Sequence, residues 1–221
     1  MLAIVIPYYK RTFFEATLQS LANQTNKQFR VYIGNDASPE NPDVLLEIYK
    51  NKFDFEYHKF EENLGSKSLV QQWNRCIDLT ENETWIMILG DDDVLEQNVI
   101  ATFYENLNEI NTNKINVVRF ATKIINEITE TISDSFQHPK FETATDSWFR
   151  KFNVKTRSSL SEHIFSRKSY SKFGFIEFPL AWHSDDYAWL DFCDNKPIYS
   201  INEINVFVRI SEDSISGKID N

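Results

Sequence analysis

Three apolar runs constrain this chain more than any other feature. Residues 2–6 (LAIVI), 29–34 (FRVYIG) and 84–89 (TWIMIL) are short, rich in β-branched and large apolar side chains, and each stops at a polar turn. Continuous apolar runs of that length read as strands buried on both faces. Helical spacing lies between them: Phe14, Leu18, Leu21 and Ala22 within 13–23, a helix over 43–50, and Leu69, Val70, Trp73 and Ile77 within 66–79. A further strand is expected at 53–59. The order β-α-β-α-β-α-β predicts an α/β fold with a mostly parallel central sheet flanked by helices and a Rossmann-like first half. Ligands of such sheets sit beyond the carboxyl ends of the strands. The polar turns at 7–11, 35–41 and 90–93 are therefore expected to converge on one rim.

After a helix at 96–110 the pattern changes. Strands are expected at 115–121, 124–132, 160–166 and 203–210, a short helix at 184–195, and irregular polar chain at 133–147. No proline- or glycine-rich linker separates the halves, so residues 1–221 are expected to form one domain.

Composition narrows the function classes. With 42% hydrophobic and 14% aromatic residues, the chain has the material for a packed core, which excludes a disordered protein. A formal net charge of -10 repels a phosphate backbone and argues against nucleic acid. The basic doublets Lys10-Arg11, Arg150-Lys151 and Arg167-Lys168 read as solvated pairs. Cys76 and Cys193 are too few and too far apart for a disulfide framework or a zinc site, and read as buried structural thiols. The first apolar run is too short for a signal peptide, and no run approaches the ~20 residues of a membrane span. A cytoplasmic protein is expected, with docking at the inner face of the membrane left open.

Three carboxylate clusters carry the chemistry. In ILGDDDVL (88–95), Asp91, Asp92 and Asp93 end a buried strand, and their mutual repulsion is relieved by a hard divalent cation such as Mg2+ or Mn2+. In Asn35-Asp36-Ala37-Ser38, a carboxylate at a strand end is placed to bond a base or ribose. In Trp182-His183-Ser184-Asp185-Asp186-Tyr187, an aspartate can serve as general base, with His183 as another candidate for base or ligand. Each also has a simpler account. Asx and Ser residues bond their own backbone in turns, and acids favour a helix amino terminus.

Taken in order, these pieces resemble the family 2 glycosyltransferases of the GT-A fold. The matching segments are 4–25 (IVIPYYKRTFFEATLQSLANQT), 29–38 (FRVYIGNDAS), 62–77 (ENLGSKSLVQQWNRCI), 85–95 (WIMILGDDDVL), 184–190 (SDDYAWL) and 206–216 (VFVRISEDSIS). The resemblance implies a nucleoside diphosphate sugar as donor, most often UDP-linked, with 1–95 as the nucleotide-sugar-binding half and 96–221 as the acceptor-binding and catalytic half. It implies that Pro7 and Tyr9 line the nucleoside pocket and that Asp36 contacts the base. It implies that Asp92 ligates the metal with help from Asp91 and Asp93. It also implies that Asp186 is the catalytic base beside Asp185, and that Arg209 lies near the diphosphate. Asn74 matches a family asparagine, and Lys67 is a further donor contact. Two positions depart from the pattern: Gly90 stands where the triplet usually opens with aspartate, and Ser211 where a histidine is usual.

The function so implied is inverting, metal-dependent transfer of a sugar to the hydroxyl of a glycan or lipid-linked acceptor, in cell-surface polysaccharide synthesis. A non-catalytic nucleotide- or glycan-binding relative is the rival reading, favoured by Gly90. A sugar-nucleotide pyrophosphorylase or a dehydrogenase would need a glycine-rich phosphate loop, and no glycine lies near residues 7–12.

Overall fold

The computed structural model describes residues 1–211. Its first half follows the expected alternation: β1 (Leu2–Tyr8), α1 (Phe14–Ala22), β2 (Phe29–Asn35), α2 (Asp43–Tyr49), β3 (Phe55–Lys59), α3 (Leu69–Ile77) and β4 (Trp85–Ile88). The second half adds β5 (Val94–Leu95), α4 (Val99–Thr112), β6 (Val117–Asn126), β7 (Thr131–Ile132), β8 (Phe141–Glu142), α5 (Ala144–Phe152), β9 (His163–Ser166) and α6 (Arg167–Phe173). A 3-10 turn (Pro179–Ala181), α7 (Ser184–Phe192) and β10 (Ile198–Ile210) follow.

One sheet holds strands of both halves in the order β3-β2-β1-β4-β9-β6-β10-β5. β1 pairs in parallel with β2 and β4, and β2 with β3. β9 runs antiparallel between β4 and β6, so β6 regains the direction of β4, and β10 pairs with β6 in parallel. The six principal strands therefore point one way. The side-chain period of two divides β1 between two cores. Leu2, Ile4 and Ile6 pack with Phe14, Leu45 and Phe103 on the face covered by α1, α2 and α4. Val5 packs with Val70 of α3 and Trp189 of α7 on the other face. Full burial of each such side chain contributes about 1.5–3 kcal/mol.

Several expectations are corrected. The strands expected at 115–121 and 124–132 are one continuous β6, because 122–123 carries no turn chemistry, and only β7 turns back on it. The segment expected to be irregular, 133–147, contains β8 and the start of α5. Thr143 caps that helix, its hydroxyl accepting from Asp146 N at 3.1 Å. The signal was hidden because Phe149 and Phe152 of α5 are exposed, which spoils an amphipathic reading. β10 begins at Ile198 rather than 203. Its register with β6 jumps between Ile201 and Asn205, so a bulge interrupts the pattern.

The basic doublets are not simply solvated. Arg150 pairs with buried Glu142 at 2.7 Å, Lys151 pairs with Asp186, and Arg167 reaches buried Glu83 at 3.4 Å. Cys76 and Cys193 are free and buried as expected, and burial pushes both thiols up to about 12. Among the described residues, no helix is long and apolar enough to cross a membrane.

Gly34 sets how closely α3 approaches β2, since a Cβ there would lie 2.3 Å from Cys76 Sγ. Gly34→Ala is expected to destabilise the fold by about 1–3 kcal/mol. Adding Cys76→Ala should recover part of that loss in urea unfolding. Additive losses in the double variant would show that this contact does not set the spacing.

Candidate active site

The three polar turns do meet at the carboxyl rim. Asp91, after β4, accepts from the backbone N–H groups of Tyr9 at 2.7 Å and Lys10 at 2.8 Å. Asp36, after β2, donates its N–H to Tyr8 O at 3.0 Å, and the Ser38 hydroxyl donates to Tyr9 O. Pro7 sits half-buried opposite Gly34 in the β1–β2 ladder, and Tyr9 is exposed just beyond it. The first-strand turn is thus bonded on one side to the Asp36 turn and on the other to the acidic triplet.

Within the triplet the carboxylates divide their tasks. Asp93 is buried, and its Oδ1 accepts from Arg209 N at 2.8 Å while its backbone carbonyl accepts from Thr17 Oγ1 at 2.8 Å. The Arg209 side chain is bound as well. Its Nε donates to Asp92 O at 2.9 Å, it pairs with Glu127, and its guanidinium lies 4.3 Å from the centre of the Phe13 ring. Asp92, half-buried like Asp91, lies between them in the chain.

Desolvation raises all three acids. Asp91 and Asp92 stand at about 6, with Asp91's charge adding to the rise at Asp92. Asp93 stands at about 7, raised further by Asp92. The glycine at 90 has a local cause. A Cβ there would lie 2.9 Å from Asp93 Oδ2 and 3.0 Å from Asp92 Oδ1, so a longer side chain would displace the carboxylates. Gly90 N instead donates to Ser161 Oγ at 3.0 Å. Ser211 is buried just past the end of β10, and 212–216 of the closing segment lie outside the described residues.

Asp36 is the second centre. Its Oδ1 accepts from Leu64 N at 2.7 Å and pairs with Arg75, and its Oδ2 accepts from Gly65 N at 2.9 Å. Of roughly four lone-pair sites on a carboxylate these contacts fill three. One site on Oδ2 is left for a donor from outside the chain. Gly65 permits the approach, since a Cβ there would come within 2.6 Å of that oxygen. Arg75 also donates to Glu62 O at 2.9 Å and lies 3.9 Å from the centre of the Phe60 ring. Lys67 stands in the same loop, exposed, with Nζ 3.1 Å from Glu62. Asn74 is not brought here: it accepts from the Tyr170 hydroxyl at 3.0 Å, tying α3 to α6.

The third cluster opens α7. Asp185 and Asp186 occupy its first turn, where the helix dipole favours negative charge, and His183 precedes it in the left-handed region at φ 63. Asp186 is buried, and its Oδ2 takes both the Lys151 ammonium and His183 Nδ1, the latter at 3.0 Å. Burial, then the Asp186 charge, raises Asp185 to about 6. Segment 157–163 spans the two acidic sites. Ser161 meets Gly90, Glu162 raises Asp185, and His163 stacks on Trp189 of α7 at 4.2 Å.

Arg75, Phe60, Lys151 and Ser161 are absent from the sequence-derived set. A signal existed for Arg75: Ser68, Gln72 and Arg75 form a polar stripe at helical spacing on α3. None existed for Lys151 or Ser161, whose roles depend on long-range packing. A separate cleft of about 800 Å³, lined by Lys27, Lys50 and Phe53, borders the amino end of β3, away from this rim.

A mostly parallel α/β sheet flanked by helices, with a carboxylate-lined rim at its strand ends, is the architecture of the GT-A fold. Residues 3–174 match the family model for glycosyl transferase family 2, and the chain belongs to that family. Solved structures agree on the fold. The S. aureus TarS 1–349 complex with UDP-GlcNAc superimposes with a TM-score of 0.77 at 17% identity, covering 100% of this chain and 61% of that one. GalNAc-T7 with UDP, GalNAc and Mn2+ gives 0.66 at 11% identity, covering 96% of this chain and 44% of that one. The chain thus spans about three fifths of the TarS structure. No curated protein matches it by sequence.

The raised acids set a pH dependence. Asp92 and Asp93 titrate as a pair, and both lie above the ordinary 3.8. Folded protein therefore binds more protons than unfolded between about pH 4 and 7, and this pair's contribution to stability falls as pH rises through that window. Asp93→Asn keeps an acceptor for Arg209 N but cannot ionise. In chelator-containing buffer its melting temperature, relative to wild type, should climb from pH 5 to pH 8. A constant difference across that range would contradict the assignment.

Proposed function

We propose that this chain transfers a sugar from a nucleoside diphosphate sugar, UDP-linked, to a hydroxyl acceptor with inversion at the anomeric carbon, using Mn2+ or Mg2+. The observation that carries this reading is the meeting of two unlike sites on one rim. Asp36 with its open Oδ2 site suits an N–H donor of a pyrimidine base. Asp92, left over when its neighbours are satisfied by the chain, suits a cation beside a diphosphate. TarS structures hold UDP or UDP-GlcNAc, and the GalNAc-T7 structure holds UDP and Mn2+, which supports the same donor chemistry here.

Carboxylate oxygens suit Mg2+ and Mn2+. Among the described residues no three His, Cys, Asp or Glu side chains are grouped to enclose an ion. An ion at Asp92 would therefore draw most of its ligands from diphosphate and water, as Mg2+ commonly does. When bound, it supplies neutralisation of the leaving group's charge. Arg209 anchors the turn that presents Asp92, with its charge largely taken by Glu127. Lys67 is free enough in its loop to reach a phosphate by exchanging Glu62.

Asp186 is read as the base. Lys151 and His183 fix its orientation, and both contacts fall on Oδ2. The acceptor hydroxyl loses its proton to Asp186 as its oxygen bonds to the anomeric carbon. The nucleoside diphosphate departs from the opposite face with the bonding pair, which inverts the centre. Asp185 raises the negative potential beside that oxygen. The role in cell-surface polysaccharide synthesis and the glycan or lipid-linked acceptor belong to this reading, as does a cytoplasmic, membrane-proximal site of action. The non-catalytic alternative loses its main support once Gly90 is explained by the packing of Asp92 and Asp93.

Calorimetry in Mn2+ should rank UDP above ADP and GDP, and Asp92→Ala or excess EDTA should weaken UDP binding and abolish turnover. Full activity in EDTA would remove the metal from the mechanism. Asp186→Asn should bind UDP with near-native affinity yet transfer sugar at least about 100-fold more slowly. Asp185→Asn should do less harm. Ordinary turnover in the Asp186 variant would move the base to Asp185 or His183.

A further inference from the structure

The entrance to α7 carries aromatic surface that neither core uses. Trp182 is 58% exposed and Phe152 52% exposed, although burying either side chain elsewhere would stabilise the fold. The rings follow one another across the surface. Trp148 stacks on Phe152 at 5.2 Å, Phe152 lies 5.2 Å from His183, and His183 lies 6.1 Å from Trp182. Trp182 is held outward by backbone that is costly for non-glycine residues: Ala181 at φ 57 and His183 at φ 63 flank it. The same His183 ring bonds Asp186 through Nδ1. A strip of aromatic faces thus leads to a buried, oriented carboxylate.

We propose that Trp182, His183 and Phe152 form an acceptor subsite for a sugar ring, which lays one apolar C–H face on the aromatic strip and brings a hydroxyl to Asp186. The inference rests on the glycosyltransfer reading above and adds the acceptor class to it. A pyranose has the matching chemistry, with an apolar face for the rings and hydroxyl donors at its edge for carboxylates. Aromatic residues beside basic ones also serve proteins that rest on anionic lipid. Here two of the neighbouring cations are engaged, Arg150 with Glu142 and Lys151 with Asp186. Lys155, over the Phe149 ring, is left as a single exposed cation where an anionic bilayer needs several. That favours the sugar over the bilayer.

The test uses the whole chain and three probes: the methyl glycosides of glucose, galactose and N-acetylglucosamine, each observed by saturation-transfer NMR with and without UDP and Mn2+. Ring C–H protons of at least one glycoside should receive saturation from wild-type protein. Trp182→Ala should weaken that binding about tenfold, with UDP affinity within about twofold of wild type and an unchanged melting curve. Trp182→Phe should keep most of it. In transfer assays the alanine variant should raise the acceptor KM far more than it lowers kcat. Two results overturn the subsite: wild type that binds UDP but none of the glycosides, or an alanine variant that binds glycoside as tightly as wild type. In the second case, loss of co-sedimentation with phosphatidylglycerol vesicles would assign the strip to a membrane instead. Glycoside binding that depends on Trp182 in a protein that fails to bind UDP would keep the subsite and defeat only the donor reading.

Discussion

Three adjacent carboxylates at the end of a buried strand cannot all remain unpartnered, and the way this chain satisfies them organises the rest of the rim. Asp91 takes two N–H groups from the turn after β1, and Asp93 takes the N–H of Arg209 in β10. Those bonds join the first strand of the sheet, the fourth and the last. Desolvation still raises both acids, so hydrogen bonds only partly offset burial. What emerges is a triplet in which two members hold the fold together, while the middle one is the metal ligand of the function proposed above. Asp91 and Asp93, read from sequence as helpers at the donor site, are used by the chain's own backbone.

The first ninety residues were legible because their physics is local. A strand buried on both faces needs a continuous apolar run, a helix against it needs 3.6-residue spacing, and a turn needs Asn, Asp, Ser, Gly or Pro. β1, β2 and β4 carry the apolar run, the alternating FEYHK of β3 fits its place at the sheet edge, and the ends of all four fall within a few residues of expectation. The second half broke the rules where tertiary contacts decide. α5 exposes two phenylalanines, β9 is a four-residue strand running against its neighbours, and β10 carries a bulge. Among site residues, aspartates were visible by their clustering. Their partners Lys151 and Ser161 were not, because each lies far along the chain from the group it serves, and Arg75 left only the polar stripe of α3 as a trace.

Asp36 and the aspartate pair at α7 are held in different ways. Asp36 is flooded with donors: two backbone N–H groups and a guanidinium hold it in one orientation. That suits recognition, where a fixed acceptor must meet a fixed donor. At α7, Asp186 has one ammonium and one imidazole on a single oxygen, while Asp185 beside it is pushed to about 6. With both contacts on Oδ2, the other oxygen of Asp186 is the one that the proposed base role would use.

The distance between these sites is set by a short piece of chain that has no chemistry of its own. Ser161 accepts from Gly90 N at the acidic turn, Glu162 is wholly buried and held by the Ser159 N–H at 2.6 Å, and His163 lies flat on Trp189 in α7. Immediately afterwards the chain enters β9, which is locked between β4 and β6. β4 ends at the acidic triplet and α7 begins with Asp185 and Asp186, so β9 acts as a spacer between the two carboxylate clusters. Its reversed direction follows from this placement. A strand that must deliver residues 157–163 to the carboxyl rim before pairing with β4 has to enter the sheet from that rim, and it therefore runs against its neighbours.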